Sequence, residues 1–393
     1  MPKQLAIAVA LCLAAALAHD PIDAAPGSRT VPAQDELTAG ARLAAVYDTI
    51  LAARFEAARA DLATACPPAP MAACDSLREV ALWWEIQQNQ GSRRLDARLE
   101  TAAATAIAAA ARWTERDPAS AEAWFYLAGA YAPLSQWRVL RGQRLAAARD
   151  GKRIKDALER SLALDGRLQD AWFGIGLYHY YADVAPAALK FLRLLLLLPG
   201  GDRVQGLQEM LRARERGQLL RGEADYQLHW IYLWYEENPA RALALLQGLD
   251  ARYPSNPLFL QRIADVHHVY FSDHQASADA WSALLDRAAA GGVTFAPLAA
   301  TRARIGLAAE SIELANPSRA IALVEPIVRA PLTEPYGGLA LAQVTRGDAY
   351  LALGDRARAI ESFTRALEST PRDDPDRVGD RARAGLARAR SRR

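Results

Sequence analysis

Apolar residues recur at helical spacing from Leu37 almost to the C-terminus, and short breaks interrupt them about every 12 to 20 residues. In the first run Leu37, Ala44, Tyr47 and Leu51 follow this spacing. The sustained alternation bounded by hairpin turns that is typical of β-strands does not occur. Because short breaks between such helices require neighbours to be antiparallel, the sequence predicts an all-α chain of stacked helical hairpins.

The breaks themselves carry helix-start signals. Asn238-Pro239, Asn256-Pro257 and Asn316-Pro317 each place a good capping residue before a proline at the first helical position. Asp117-Pro118 has the same arrangement, so we expect a helix to begin there as well. These signals fall between the apolar runs, which supports the predicted helix boundaries.

One segment near the C-terminus carries a repeat signature. Small and aromatic residues follow its first glycine at offsets of 3, 12, 16, 19 and 24, giving the set Gly347, Tyr350, Ala359, Phe363, Ala366 and Pro371. The segment resembles the tetratricopeptide repeat (TPR), whose consensus of about 34 residues has these residue types at these offsets. Gln343 and Arg346 stand where the family has Trp and Leu. The resemblance implies an α-α superhelix, a TPR-like solenoid of stacked antiparallel helix pairs.

Two upstream segments resemble the same repeat. They match each other around Trp124 and Trp172, and Gly176 stands at the small signature position of the second.

The predicted division of the chain is a signal peptide (1–18), a disordered linker (19–34), a divergent helical cap (35–115), TPR-like repeats (116–182), a non-TPR helical insertion (183–222), degenerate TPR-like hairpins (223–330), a TPR repeat (336–371) and an Arg-rich capping helix and tail (372–393).

The N-terminal segment predicts export. Residues 1–18 contain Lys3, an apolar stretch and a small-x-small end, as signal peptides do. The alternative is a membrane anchor, but the apolar stretch reaches only ~20 Å as a helix, short of the ~30 Å hydrocarbon core. We therefore expect a periplasmic protein of the cell envelope. There Cys66 and Cys74 would form a disulfide, the alternative being two free thiols in a mobile loop.

The resemblance also implies where a partner binds, since the first helix of each TPR pair lines a concave groove. The groove-facing positions carried over from the family pattern are Glu122, Phe125, Gly129, Ala132, Asp170, Phe173, Leu177, Tyr180, Leu341, Val344, Asp348 and Leu351. A groove of aromatic and acidic residues suits an extended peptide or a partner's helix. The expected function is therefore a non-enzymatic protein–protein interaction scaffold. The competing interpretation of the aromatic residues is that they fill the seams between repeats.

A second function class stays open. The aromatic residues from Trp172 and the leucine-rich stretch 186–198 are compatible with a carrier for a lipid or glycan, which requires a closed apolar pocket of ~300–1,000 Å³. The stretch 186–198 is either a helix surrounded by neighbours or a helix at a membrane interface. The twelve residues 187–198 within it are too few to span a bilayer.

Catalytic and metal-binding signatures are weak. HExxH, P-loop and G-x-S-x-G motifs are missing from the sequence. His267 and His268 point ~100° apart on a helix, and His274 would lie ~10 Å from His267, so these histidines with Asp273 are expected to be ordinary hairpin residues. Glu310-Ser311 matches the catalytic dipeptide of lytic transglycosylases without the sequence that follows it there. We expect no enzyme activity, cofactor or metal.

Charge narrows the class of partner. The chain has 47 basic and 45 acidic residues and a net charge of +2, which gives no electrostatic footprint for nucleic acid. The Arg-rich end is expected to be a polar capping helix, with any membrane contact only peripheral. The expected partner is therefore a protein or peptide.

Overall fold

The computed structural model describes residues 37–184, 200–330, 334–374 and 376–391. The predicted signal peptide 1–18, the linker 19–34 and the leucine-rich stretch 186–198 lie outside the described residues. Across the described residues the chain is helical and contains no β-strand. The predicted all-α fold class is confirmed.

Seventeen α-helices and one π-helix are present in the described parts of the chain. In chain order they are α1 (Gly40–Leu51), α2 (Phe55–Ala65), α3 (Met71–Gln87), α4 (Asp96–Arg116), α5 (Ala121–Leu140), α6 (Arg144–Leu164), α7 (Gln169–Val184), α8 (Arg203–Arg216), α9 (Arg221–Trp234), α10 (Pro239–Arg252), α11 (Pro257–Val266), the π-helix (His267–Phe271), α12 (His274–Ala289), α13 (Ala296–Glu313), α14 (Pro317–Arg329), α15 (Gly338–Ala352), α16 (Arg356–Ser369) and α17 (Val378–Arg390). Among the helices that the structure describes, none is both long and apolar enough to cross a bilayer.

The helix starts follow the capping chemistry. The side chains of Asn256 and Asn316 accept hydrogen bonds from the backbone of Leu258 and Arg319, and each precedes a proline that begins a helix. The expectation for Asp117-Pro118 was wrong. The helix begins three residues later, because Ser120 is the residue whose side chain caps it.

The chain divides into two compact units. Unit 1 runs to Glu85 and again from Arg94 to Asn238, whereas unit 2 comprises Ile86–Arg93 and the chain from Pro239. In unit 1, a disulfide joins Cys66, which follows α2, to Cys74 in the first turn of α3.

In unit 1, helices α7 and α8 form an antiparallel hairpin with direct backbone contact. A Cβ added to Gly176 would lie 2.7 Å from the carbonyl oxygen of Gly206, and one added to Gly206 would lie 2.5 Å from the oxygen of Gly176. Only glycine permits this approach. Residues 203–216, which the sequence assigned to an insertion, therefore supply the second helix of the hairpin that α7 begins.

The two tryptophans of the upstream segments make the same contact. The indole N–H of Trp124 donates to the carbonyl of Pro118 (3.0 Å), and that of Trp172 donates to the carbonyl of Gly166 (3.1 Å). In both cases the acceptor lies six residues earlier, in the turn before the helix. The sequence match between these segments therefore corresponds to a structural match.

In unit 2, the signature residues of the C-terminal repeat form a filled core. Phe363 is fully buried, and a Cβ on Gly347 or Gly385 would lie less than 3 Å from its ring. Ala359 and Ala366 lie in the same cluster, with Tyr350 packed against it, and Pro371 stands near Gly337. Helix α15 contacts α13 on one side and α17 on the other. These helices stack as the first helices of successive TPR pairs do.

Candidate functional site

Unit 1 contains an apolar cavity of about 220 Å³ that is partly open to solvent. Residues from α1, α3, α5, α6 and α7 line it, together with the start of α9. Most of the lining side chains are aliphatic or aromatic. Because apolar concave sites with a few polar groups are the usual binding sites of proteins, this cavity is a candidate binding site in the described part of unit 1.

One wall of the cavity comes from α5 and α7 at helical spacing. Phe125, Gly129 and Ala132 follow one stripe of α5, and Phe173 and Leu177 follow one stripe of α7. These five are among the groove positions that the TPR resemblance implied. A Cβ at position 129 would meet nothing within 4 Å, so the glycine leaves open space.

The polar end of the cavity is organised around Glu223. This buried carboxylate accepts hydrogen bonds from the hydroxyl of Tyr47 (3.1 Å), the indole of Trp84 (3.1 Å) and the amide of Gln227 (2.8 Å). Burial raises the pKa of Glu223, and the three hydrogen bonds act in the opposite direction. The carboxylate holds α1, α3 and α9 together around the cavity.

Asp170 lines the same cavity, but its oxygens are already used. It is fully buried and accepts hydrogen bonds from the backbone N–H groups of Gln218 (2.9 Å), Leu219 (3.0 Å) and Leu220 (2.7 Å). Burial raises the pKa of the Asp170 carboxyl, and these hydrogen bonds oppose that shift. Asp170 therefore caps the start of α9, in place of the partner contact expected from the sequence.

Two other predicted groove residues of unit 1 lie outside the cavity lining. The hydroxyl of buried Tyr180 donates to Glu236 (2.5 Å), and its ring packs on Tyr235. Glu122 accepts hydrogen bonds from the backbone and the hydroxyl of Thr38, both at 2.8 Å. Both predicted contact residues are thus engaged within the unit.

The third predicted group, in α15, is covered by the C-terminal helix α17. Val344 is 1% exposed and lies in the core cluster, against which Leu351 also packs. Asp348 pairs with Arg388 of α17 at 2.8 Å. Val344 is thus buried, and Asp348 and Leu351 are partly covered by a helix that takes the place of the next repeat's first helix, so the three differ from the predicted groove surface.

The structure separates two of the candidate metal residues from the other two. Asp273 caps α12, and the ring of His267 packs on Phe271. His268 and His274 come together instead, with their ring centroids 5.4 Å apart. Both of them contact the carboxylate of Glu310, a residue that no metal interpretation of the sequence had included.

Comparison with known proteins gives the fold and no family assignment. No protein-family model matches this chain, and no curated protein matches it either. Among solved structures, the Cut9–Hcn1 hetero-tetramer of the APC/C matches over 89% of this chain with 16% identity and a TM-score of 0.51. This chain spans only 55% of the length of that chain. Yeast Tom70 matches over 80% of this chain and 65% of its own, with 13% identity and a TM-score of 0.42. The first match supports the TPR-type fold.

Proposed function

We propose that this protein is a non-enzymatic binding protein whose cavity in unit 1 takes up an apolar side chain of a partner protein. The observation that carries the proposal is the cavity wall formed by Phe125, Gly129, Ala132, Phe173 and Leu177. Stacked helices hold this wall in a preformed shape, which lowers the entropic cost of binding.

The size of the cavity favours a side chain over a lipid. A cavity of about 150 Å³ accepts benzene, so about 220 Å³ is sufficient for one aromatic or large aliphatic group. Pockets that enclose a whole small-molecule ligand measure roughly 300–1,000 Å³. An anchoring residue of a peptide or helix fits the observed volume, with the remainder of the partner outside the cavity.

The proposed location is the periplasm. The signal-like segment 1–18 and the disulfide between Cys66 and Cys74 support export, since structural disulfides persist in oxidising compartments. A fusion of residues 1–40 to a reporter that is active only outside the cytoplasm tests this proposal. Reporter activity is expected, and activity equal to that of a leaderless fusion would contradict export.

The partner proposal is tested by filling the cavity. Gly129→Leu places a side chain into open space within the cavity, so it should block the anchor and leave the fold intact. Gly248→Leu is the matched control, because Gly248 is also a helical glycine with nothing within 4 Å, on the exposed face of α10. Affinity capture from cell-envelope extract should recover the same protein with the wild type and with Gly248→Leu, and lose it with Gly129→Leu.

The same protein preparations distinguish the scaffold function from the carrier function. Native mass spectrometry of wild-type protein from the exporting host should show the mass of the chain without a small ligand. A bound small molecule that disappears in Gly129→Leu would favour the carrier function. Capture that is unchanged in Gly129→Leu would contradict a role for this cavity in partner binding.

A further inference from the structure

Unit 2 contains a cluster of two histidines and a glutamate at the junction of the π-helix, α12 and α13. The Nδ1 of His268 lies 2.9 Å from one carboxylate oxygen of Glu310, and the Nδ1 of His274 lies 2.9 Å from the other. The ligand atoms of all three residues lie within 4.8 Å of one another. This arrangement has no part in the cavity of unit 1.

A local departure from α-helical geometry creates the cluster. Residues His267–Phe271 form a π-helix, and Ser272, with a φ of 51°, ends it in the left-handed conformation. Asp273 then caps α12, which begins at His274. The chain reverses within six residues, and the two imidazoles meet. π-Helical turns cost helix stability and occur frequently at functional sites.

The carboxylate at the centre of the cluster is buried. Glu310 is 3% exposed, and its partners among the described residues are the two imidazoles and the hydroxyl of Ser277, which donates to it at 2.9 Å. Buried carboxylates are paired with a cation or coordinate a metal. The side chains of His268 and His274 are 45% and 30% exposed, so an ion can reach them from solvent.

The distances are close to those of a coordination sphere. Bonds of about 2.1 Å to nitrogen and oxygen at tetrahedral angles place ligand atoms about 3.4 Å apart. The separations of 2.9 Å between nitrogen and oxygen therefore need a small expansion, and the other ligand atoms, which lie within 4.8 Å of one another, need to move closer together. On binding, each Nδ1 gives up its contact with Glu310 to the ion, and the proton of each neutral imidazole resides on Nε2.

We infer that His268, His274 and Glu310 bind a divalent transition-metal ion of the zinc class. Imidazole nitrogen selects Zn²⁺ and its neighbours over Mg²⁺ and Ca²⁺, which prefer sites made only of oxygen. The hydrogen bond from Ser277 to the carboxylate oxygen that His268 contacts fixes the orientation of the carboxylate, as hydrogen bonds to metal ligands do. The ion would connect the π-helix and α12 to α13, with a fourth position left for water.

The test uses the untagged full chain and Zn²⁺ as the probe. Equilibrium dialysis after chelator treatment should give one Zn²⁺ per wild-type chain. His268→Ala and His274→Ala should each weaken binding at least tenfold, and Ser277→Ala about tenfold. His267→Ala is the matched control, since this neighbouring histidine lies outside the cluster, and it should bind as the wild type does. Circular dichroism confirms that each variant is folded.

Two further measurements distinguish this site from loose binding to surface histidines. Zn²⁺ at a hundredfold excess over the wild-type Kd should raise the Tm of the wild type by about 5 °C and that of His268→Ala by at most about half as much. Co²⁺ should give the intense visible absorption of a four-coordinate site in the wild type only. Absence of stoichiometric binding, or equal losses in His267→Ala and His268→Ala, would overturn the inference.

Discussion

The α15–α16 hairpin of unit 2 and the helices around the cavity of unit 1 fill the space between neighbouring helices in different ways. In unit 2, Phe363 occupies the seam and touches the helix surfaces at Gly347 and Gly385. In unit 1, Phe125 and Phe173 stand at the edge of a cavity of about 220 Å³. Each region pairs aromatic rings with glycines, yet only in unit 2 does the ring fill the space beside the glycine.

The difference shows what a repeat signature specifies. In α15–α16, glycine and phenylalanine at the signature positions face each other and produce a closed seam. In α5, Gly129 stands outside the signature set, and open space lies above it. A glycine that closes a seam contributes to stability, whereas a glycine beside open space leaves room for a bound group, as we propose for Gly129. Substitutions at the two kinds of site should therefore have opposite effects.

The largest expected loss of stability follows from removing the ring that fills the seam in unit 2. Phe363→Ala should lower the free energy of unfolding by about 3–5 kcal/mol, because the fully buried ring leaves a void that the surrounding helices cannot close. Phe125→Ala should cost less, about 2–3 kcal/mol, since its ring already borders empty space. Denaturant unfolding followed by circular dichroism measures both. Equal losses would contradict the comparison.

Replacing a glycine by alanine should lower the free energy of unfolding at Gly176 and raise it at Gly129. Gly176→Ala should destabilise the protein by about 1–3 kcal/mol, because the new Cβ would lie 2.7 Å from the backbone oxygen of Gly206. Gly129→Ala should stabilise it by about 0.5–1 kcal/mol through helix propensity alone. Gly248→Ala provides the control for propensity on an exposed face. If Gly176→Ala also stabilises the protein, that result would contradict the close backbone contact between α7 and α8.

Substitution of Glu79, the buried glutamate of α3, should have a smaller effect on the free energy of unfolding, and this effect should depend on pH. Burial raises the pKa of Glu79 well above its ordinary value of 4.5, and the charge of Asp150 acts in the same direction. Between pH 4.5 and the raised value the folded state binds more protons than the unfolded state, so stability falls as the pH rises. Glu79→Gln should therefore gain stability relative to the wild type as the pH rises above 4.5.

The control for this titration is an exposed glutamate whose pKa shifts the other way. The hydrogen bond from Arg59 lowers the pKa of Glu56, so its contribution to stability is lost as the pH falls. Glu56→Gln should change the slope of unfolding free energy against pH weakly and with the opposite sign. A Glu79→Gln profile parallel to that of the wild type would show that this carboxyl is not desolvated in the folded protein.

Helical periodicity and capping chemistry were sufficient to predict the fold class, because both act within a few residues of the chain. Asn256 and Asn316 cap the helices that the sequence indicated, and Phe363 fills the seam that the TPR signature implied. The cap at Ser120 was missed because Asp117-Pro118 gave an equally good local signal.

The site was predictable only in part, because it depends on contacts between residues distant in the chain. Phe125 and Phe173 were identified from their repeat positions, whereas the bond from Tyr47 to Glu223 joins residues 176 positions apart. Asp170 has no local signal that distinguishes a partner contact from a cap for α9. The approach of His268 to His274 depends on a π-helix, which helical periodicity does not reveal.

The central claim is that the cavity of unit 1 receives part of a partner protein. A diazirine-bearing side chain at position 136, where Gln136 lines the cavity, tests it most directly when the chain is expressed in its own host and irradiated. The account predicts a cross-link to a single protein, lost when Gly129→Leu is added and absent when the diazirine stands at position 248. Cross-links to a small molecule alone, or to the same proteins from both positions, would contradict it.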